Sequence, residues 1–119
     1  MILRTLTAAA FGTVLATSAM AQTLVDVNDD VIVQPFGVAA GLLDDIDVYT
    51  PAGVEIGDVE EIIGTDPQTP THLVVDFDDE AGFPDRDDVL VPIDAFTLEA
   101  NRLVTSLTPE EVTALPVAN

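Results

Sequence analysis

The sequence predicts an all-β fold, a small β-barrel or sandwich of five or six short strands with a short C-terminal helix. Three observations predict it. Apolar and polar residues alternate in short runs, as in Leu73, Val75 and Phe77 against Val74, Asp76 and Asp78. Turn-forming Gly, Pro, Asn and Asp separate these runs at close intervals. A clear helix start appears only near the end, at Thr108-Pro109-Glu110-Glu111, with Thr as N-cap, Pro in the first helical position and Glu in the third.

Taken in order, residues 1–21 come first. They hold one cation, Arg4, then an apolar stretch from Leu6 to Ala16, then small residues ending Ala19-Met20-Ala21. This is the layout of a secretory signal peptide, with cleavage expected after Ala21. Thr and Gly interrupt the run, whereas a spanning helix wants about 20 predominantly apolar residues, so no membrane insertion is expected after cleavage. Residues 22–44 read as an N-terminal extension. Val31-Ile32-Val33 suits a short strand, Pro35 and Gly37 break regularity, and Leu42-Leu43-Asp44-Asp45 fits either one helical turn or an extended approach to the next strand.

Residues 45–119 form the main domain. Asp47-Val48-Tyr49-Thr50, the turn Pro51-Ala52-Gly53 and Val54-Glu55-Ile56 make a β-hairpin. From Ile56 to Ile63 periodicity leaves two readings open. Ile56, Val59, Ile62 and Ile63 fit a helix, while a strand needs its phase to flip near Gly57-Asp58, as a β-bulge would do. Residues 65–71 (TDPQTPT) read as a loop, residues 73–78 as a half-buried strand, and residues 79–88 as an acidic loop with Gly82 and Pro84. Val89, Val91 and Ile93 alternate next, with Pro92 tolerable only at an edge or strand end. Phe96 and Leu98 begin a second hairpin, Asn101 suits a left-handed turn, and Leu103-Val104-Thr105 returns. Leu73, Val75, Phe77, Val89, Val91 and Ile93 are the expected core. Pro116 keeps the closing helix short.

Composition removes whole classes of function. The chain has 119 residues, 22 Asp+Glu against 3 Lys+Arg, no Cys and a formal charge of -19. Without the leader it keeps every acid and only Arg86 and Arg102, a charge of -20 over 98 residues. A phosphate-binding surface needs clustered Lys or Arg, so nucleic acid is not an expected partner. Disulfides, thiolate chemistry and Cys-ligated metals are excluded, and a bacterial lipid anchor lacks its Cys. Beyond the leader there is one His, His72, and one Ser, Ser106, too few for ordinary nucleophilic catalysis. A lone His is also a poor metal site, and His72 reads as structural. No phosphate-binding glycine loop is present, and the aromatic platforms expected beside a glycosidase's paired acids are scarce.

Residues 45–116 resemble the PRC-barrel family, named for the cytoplasmic domain of the photosynthetic reaction-centre H subunit. The resemblance rests on Asp47-Val48-Tyr49, Gly53, Ile56-Gly57-Asp58-Val59-Glu60-Glu61, Leu73-Val74-Val75-Asp76, Asp87-Asp88-Val89-Leu90-Val91-Pro92 leading to Phe96, Arg102-Leu103-Val104 and Leu107-Thr108-Pro109-Glu110-Glu111. It implies a small PRC-type barrel and a strand through Gly57. It also implies an adaptor or assembly role in place of catalysis, as in reaction-centre and ribosome-maturation proteins. The leader and the acidity set this chain apart from those members.

The expected function is a non-enzymatic, periplasmic or secreted interaction module without a cofactor, whose protein partner the sequence does not name, and which forms a homodimer through an exposed strand edge. The alternative is weak Ca²⁺ or Mg²⁺ binding by the acidic segment 76–88 (DFDDEAGFPDRDD), with Asp76, Asp78, Asp79 and Glu80 as ligands. An EF-hand register fails there: counting Asp76 as first, Gly82 falls seventh and Asp87 takes the place of the closing Glu.

Overall fold

The structure is a computed structural model that describes residues 23–84 and 88–118. The expected leader, residues 1–21, lies outside the described residues, as do 85–87 of the acidic segment. Three two-residue strands come first, β1 (Val25–Asp26), β2 (Ile32–Val33) and β3 (Val38–Ala39), followed by one helical turn, α1 (Ala40–Leu43). Six strands follow: β4 (Asp47–Tyr49), β5 (Glu55–Asp66), β6 (Thr69–Phe77), β7 (Val89–Pro92), β8 (Phe96–Glu99) and β9 (Arg102–Thr105). A short helix, α2 (Pro109–Thr113), closes the fold.

The main sheet runs β7-β6-β5-β4-β9-β8 and curls into a half-barrel, with β1 added to the far half of β5. β4 and β9 pair parallel; the remaining neighbours in the sheet pair antiparallel. β4 to β9 are the expected six strands, but β5 with 12 residues and β6 with 9 are not short. Their length comes from the segment expected as a loop. β5 continues through Asp66 and β6 starts at Thr69, leaving only Pro67 and Gln68 as the turn. The Asp66 carboxylate accepts from Gln68 N–H at 2.8 Å and from Thr69 Oγ1 at 3.1 Å, which stabilises that turn. Pro70, lacking a donor, sits opposite Gly64 between two register shifts, where a regular ladder is already interrupted.

Two bulges set which side chains of β5 face inward. Against β4, Val48 pairs with Gly57 and Tyr49 with Glu55, so Ile56 is the extra residue and the phase flips at Gly57 as the strand reading required. Gly57 is obligatory for a second reason: a Cβ there would stand 2.5 Å from the Asp76 carbonyl oxygen of β6. The second bulge leaves Glu60 without a partner, because Val59 faces Val75 while Glu61 faces Val74. Val59 and Ile62 therefore both enter the core, with Glu60 and Glu61 between them.

The core holds all six residues expected there, together with Val48, Ile56, Val59, Leu103 and Val112. Val27, Val33, Ala40 and Leu43 join the same cluster, so residues preceding β4 pack into the barrel. Thr105 is buried at 2% exposure, and its hydroxyl is satisfied: Oγ1 donates to the Ala95 carbonyl at 2.8 Å and accepts from Leu107 N–H at 3.2 Å. The β8–β9 turn carries both Ala100 (φ 52°) and Asn101 (φ 68°) in the left-handed region, the geometry of a two-residue hairpin turn. At α2 the expected capping box is complete: Thr108 Oγ1 accepts from Glu111 N–H at 3.2 Å, and the Glu111 carboxylate accepts from Thr108 N–H at 2.9 Å. After α2 the chain returns along β7, where Leu90 N–H donates to Pro116 and Ala118 N–H donates to Asp88. That covers the outer edge of β7.

Candidate functional site

Alternation on β6 turns Leu73, Val75 and Phe77 inward and His72, Val74 and Asp76 outward. Register then decides what Asp76 meets. Its cross-strand partner is Asp58, and the bulge at Glu60 brings a further carboxylate to the same outer face. One carboxylate oxygen from each of Asp58, Glu60 and Asp76 lies within 4.8 Å of the others. Asp58 and Glu60 are half-buried and Asp76 is exposed.

Crowded carboxylates hold protons more tightly than isolated ones. The hydrogen bond to Asp58, then burial, then the charges of Asp58, Asp88 and Asp76 push the Glu60 carboxyl up to about 7. Burial raises Asp58 as well, opposed by its bond with Glu60 and reinforced by Asp78, Asp47 and Asp45. Glu61 is raised by burial and by the charge and hydrogen bond of Asp26 on β1. Glu55 is raised chiefly by Asp47. Arg102, the one Lys or Arg among the described residues, stacks over the Tyr49 ring with Cζ 4.5 Å from its centroid, on β9 and β4. Asp58 and Glu60 thus form a hydrogen-bonded carboxyl pair in which both groups are raised and Glu60 reaches about 7.

The sequence-predicted ligands are divided by this geometry. Asp76 joins Asp58 and Glu60, neither of which sequence reasoning nominated. Asp78 follows the end of β6, its charge acting on Glu55 and Asp58. Asp79 and Glu80 open a 3₁₀ turn (Asp79–Ala81) that ends at Gly82 with φ 91°, and neither belongs to the three-carboxylate group. The loop is anchored from inside by Phe83, which is buried and stacks on Phe77 with centroids 5.2 Å apart. His72 is partly buried, with Nδ1 2.8 Å from Thr71 Oγ1. The i, i+2 spacing of Asp58 and Glu60 was visible, but only the β5–β6 register shows that they meet Asp76.

The same outer face changes character toward the end of β5. Ile63 at 7% and Val74 at 4% exposure are buried, yet they stand outside the main core cluster. With Leu90 they floor a trough of about 490 Å³, walled by Thr23 and Leu24 before β1 and by Val117 and Ala118 after α2. Asp26 and Glu61 stand at its rim. None of the helices among the described residues is long and apolar enough to cross a membrane.

No curated protein matches the chain in a sequence comparison. The family model of the PRC-barrel domain matches residues 39–112, from the end of β3 to the buried Val112 of α2. That span takes in β4 to β9, six of the seven strands of the curled sheet, and by sequence and by architecture the chain belongs to the PRC-barrel domain family.

Proposed function

We propose that this chain is a non-enzymatic interaction or assembly module, exported to the periplasm or secreted. The PRC-barrel is generally a non-catalytic domain, and the family suggests a small non-catalytic module. The observation that carries the reading is the filled interior: Val59, Leu73, Val75, Val91 and Leu103 are fully buried and pack against one another, which leaves the outer faces and edges as the working surface. Self-association would use β8. It ends the strand order and pairs with β9 on one side, whereas residues 116–118 already cover the edge of β7. In-cell crosslinking followed by recovery of the protein tests the main reading. A stoichiometric protein partner is expected, and recovery of the chain alone would overturn it. Light scattering tests the homodimer, which a monomer at high concentration rules out.

Weak Ca²⁺ or Mg²⁺ binding is the second reading. It is favoured by the convergence of Asp58, Glu60 and Asp76, and moves the ligands away from Asp78, Asp79 and Glu80. Calorimetric titration should give a dissociation constant of about 0.1–1 mM, the range of extracellular calcium modules. Absence of heat in that range removes it.

A further inference from the structure

The outer face of β5, β6 and β7 joins two properties. Its floor is apolar, built by Ile63, Val74 and Leu90, while its rim is anionic, built by Asp26 and Glu61. Interfaces with this anatomy bury an apolar centre inside a polar margin. Among the described residues no Lys or Arg lines the trough. Asp26 and Glu61 hydrogen-bond to each other, and Asp88 and Asp44 add negative potential at Glu61. Arg102, the sole Lys or Arg among the described residues, is engaged at Tyr49.

We propose that this trough is the docking site for a partner polypeptide segment in which aliphatic residues are flanked by Arg or Lys. The proposal rests on the interaction-module reading above and names the surface and the chemistry of the partner. Charge complementarity selects this occupant. A second copy seated here would bring Asp26 and Glu61 against an equally acidic chain, and an anionic bilayer would be repelled for the same reason. A cationic, aliphatic segment places its apolar side chains on Ile63, Val74 and Leu90 while its cations separate the Asp26–Glu61 pair. The trough, at about 490 Å³, has room for a few side chains and not for a folded domain.

The test is titration of the purified protein, followed by backbone amide NMR, with an acetylated Leu-Arg-Leu-Arg-Leu peptide and a Ser-Arg-Ser-Arg-Ser control at 0.15 M and about 0.5 M NaCl. The Leu-containing peptide should move the resonances of Ile63, Val74 and Leu90 and survive the higher salt. The Ser-containing peptide should give only weak, dispersed shifts that salt abolishes. Glu61→Gln and Val74→Thr should each weaken the Leu-containing peptide about fivefold or more, a loss of roughly 1 kcal/mol or more. Glu110→Gln, at an exposed position of α2 that does not line the trough, should leave it unchanged. Equal binding of both peptides, or shifts spread over the whole acidic surface, would overturn the proposal. So would selective binding to vesicles, or dimerisation that Glu61→Gln abolishes. Crosslinking with the Glu61→Gln and Val74→Thr proteins separates the two levels. A partner still recovered by both leaves the module reading intact and removes this face, whereas a partner lost only from the variants supports it.

Discussion

At Glu60 the folded chain holds a proton that the unfolded chain gives up. The carboxyl titrates at about 7 beside Asp58, against an ordinary value of 4.5. Between those values the folded state binds more protons than the unfolded state, so stability rises as the pH falls through this window and is lost as the pH rises through the folded value. The urea midpoint should therefore increase between pH 8 and pH 5.5, and Glu60→Gln should both flatten that dependence and raise the midpoint at pH 8. A variant with an unaltered pH profile would show that the Asp58–Glu60 pair is not its source. Thr108 is a second residue with a separable role. Its side chain and that of Glu111 satisfy each other's backbone donors, and Thr108→Ala should cost about 1 kcal/mol in chemical denaturation. An unchanged midpoint would mean that Val112 burial alone holds α2 in place.

Among the elements, β5 determines most of the site, and it marks the boundary of what the sequence disclosed. The alternation of Leu73, Val75 and Phe77, the Pro51–Gly53 turn, the left-handed Asn101 and the Thr108 cap all acted locally, and the structure contains each of them. Residues 65–71 did not read as strand because their prolines break the usual pattern. Asp66 turns the chain in two residues, and the bulges absorb Pro70. The acidic group was half legible for a related reason. Asp76 stood in the densest acidic segment, but Asp58 and Glu60 lie 18 and 16 positions earlier and reach it only through antiparallel register. Ile63 and Val74 on the outer face were equally hidden, since alternation assigns them to solvent until the terminal segments wall that face. Gly57 tests the geometry of β5 itself. Gly57→Ala would force its Cβ against the Asp76 carbonyl, with an expected loss of about 1–3 kcal/mol from backbone displacement. A neutral substitution would show that β5 and β6 can separate freely at that point.

For the molecule as a whole, charge is the dominant condition. The part of the chain beyond the expected leader carries 22 acids and two Arg, and neighbouring acids and burial hold the carboxyls of Glu55, Asp58, Glu60 and Glu61 above the ordinary range. Like charges on a small barrel repel in the compact state, and salt relieves the repulsion as the Debye length shortens from about 10 Å at 0.1 M to about 3 Å at 1 M. The melting temperature should rise with NaCl over that range; a flat response would indicate that the acids are already spaced widely enough to ignore one another. The parallel contact of β4 with β9 bears on how such a chain reaches its fold. Val48 meets Leu103, and Tyr49 meets Val104, across more than fifty intervening residues. The β5–β6 hairpin, by comparison, closes over a two-residue turn. Loop-closure entropy orders these events: the hairpin can form early, and the β4–β9 seam joins last, after most of the chain has been gathered. Shortening Leu103 should then accelerate unfolding far more than it slows folding, so that the seam governs how long the native barrel persists once made.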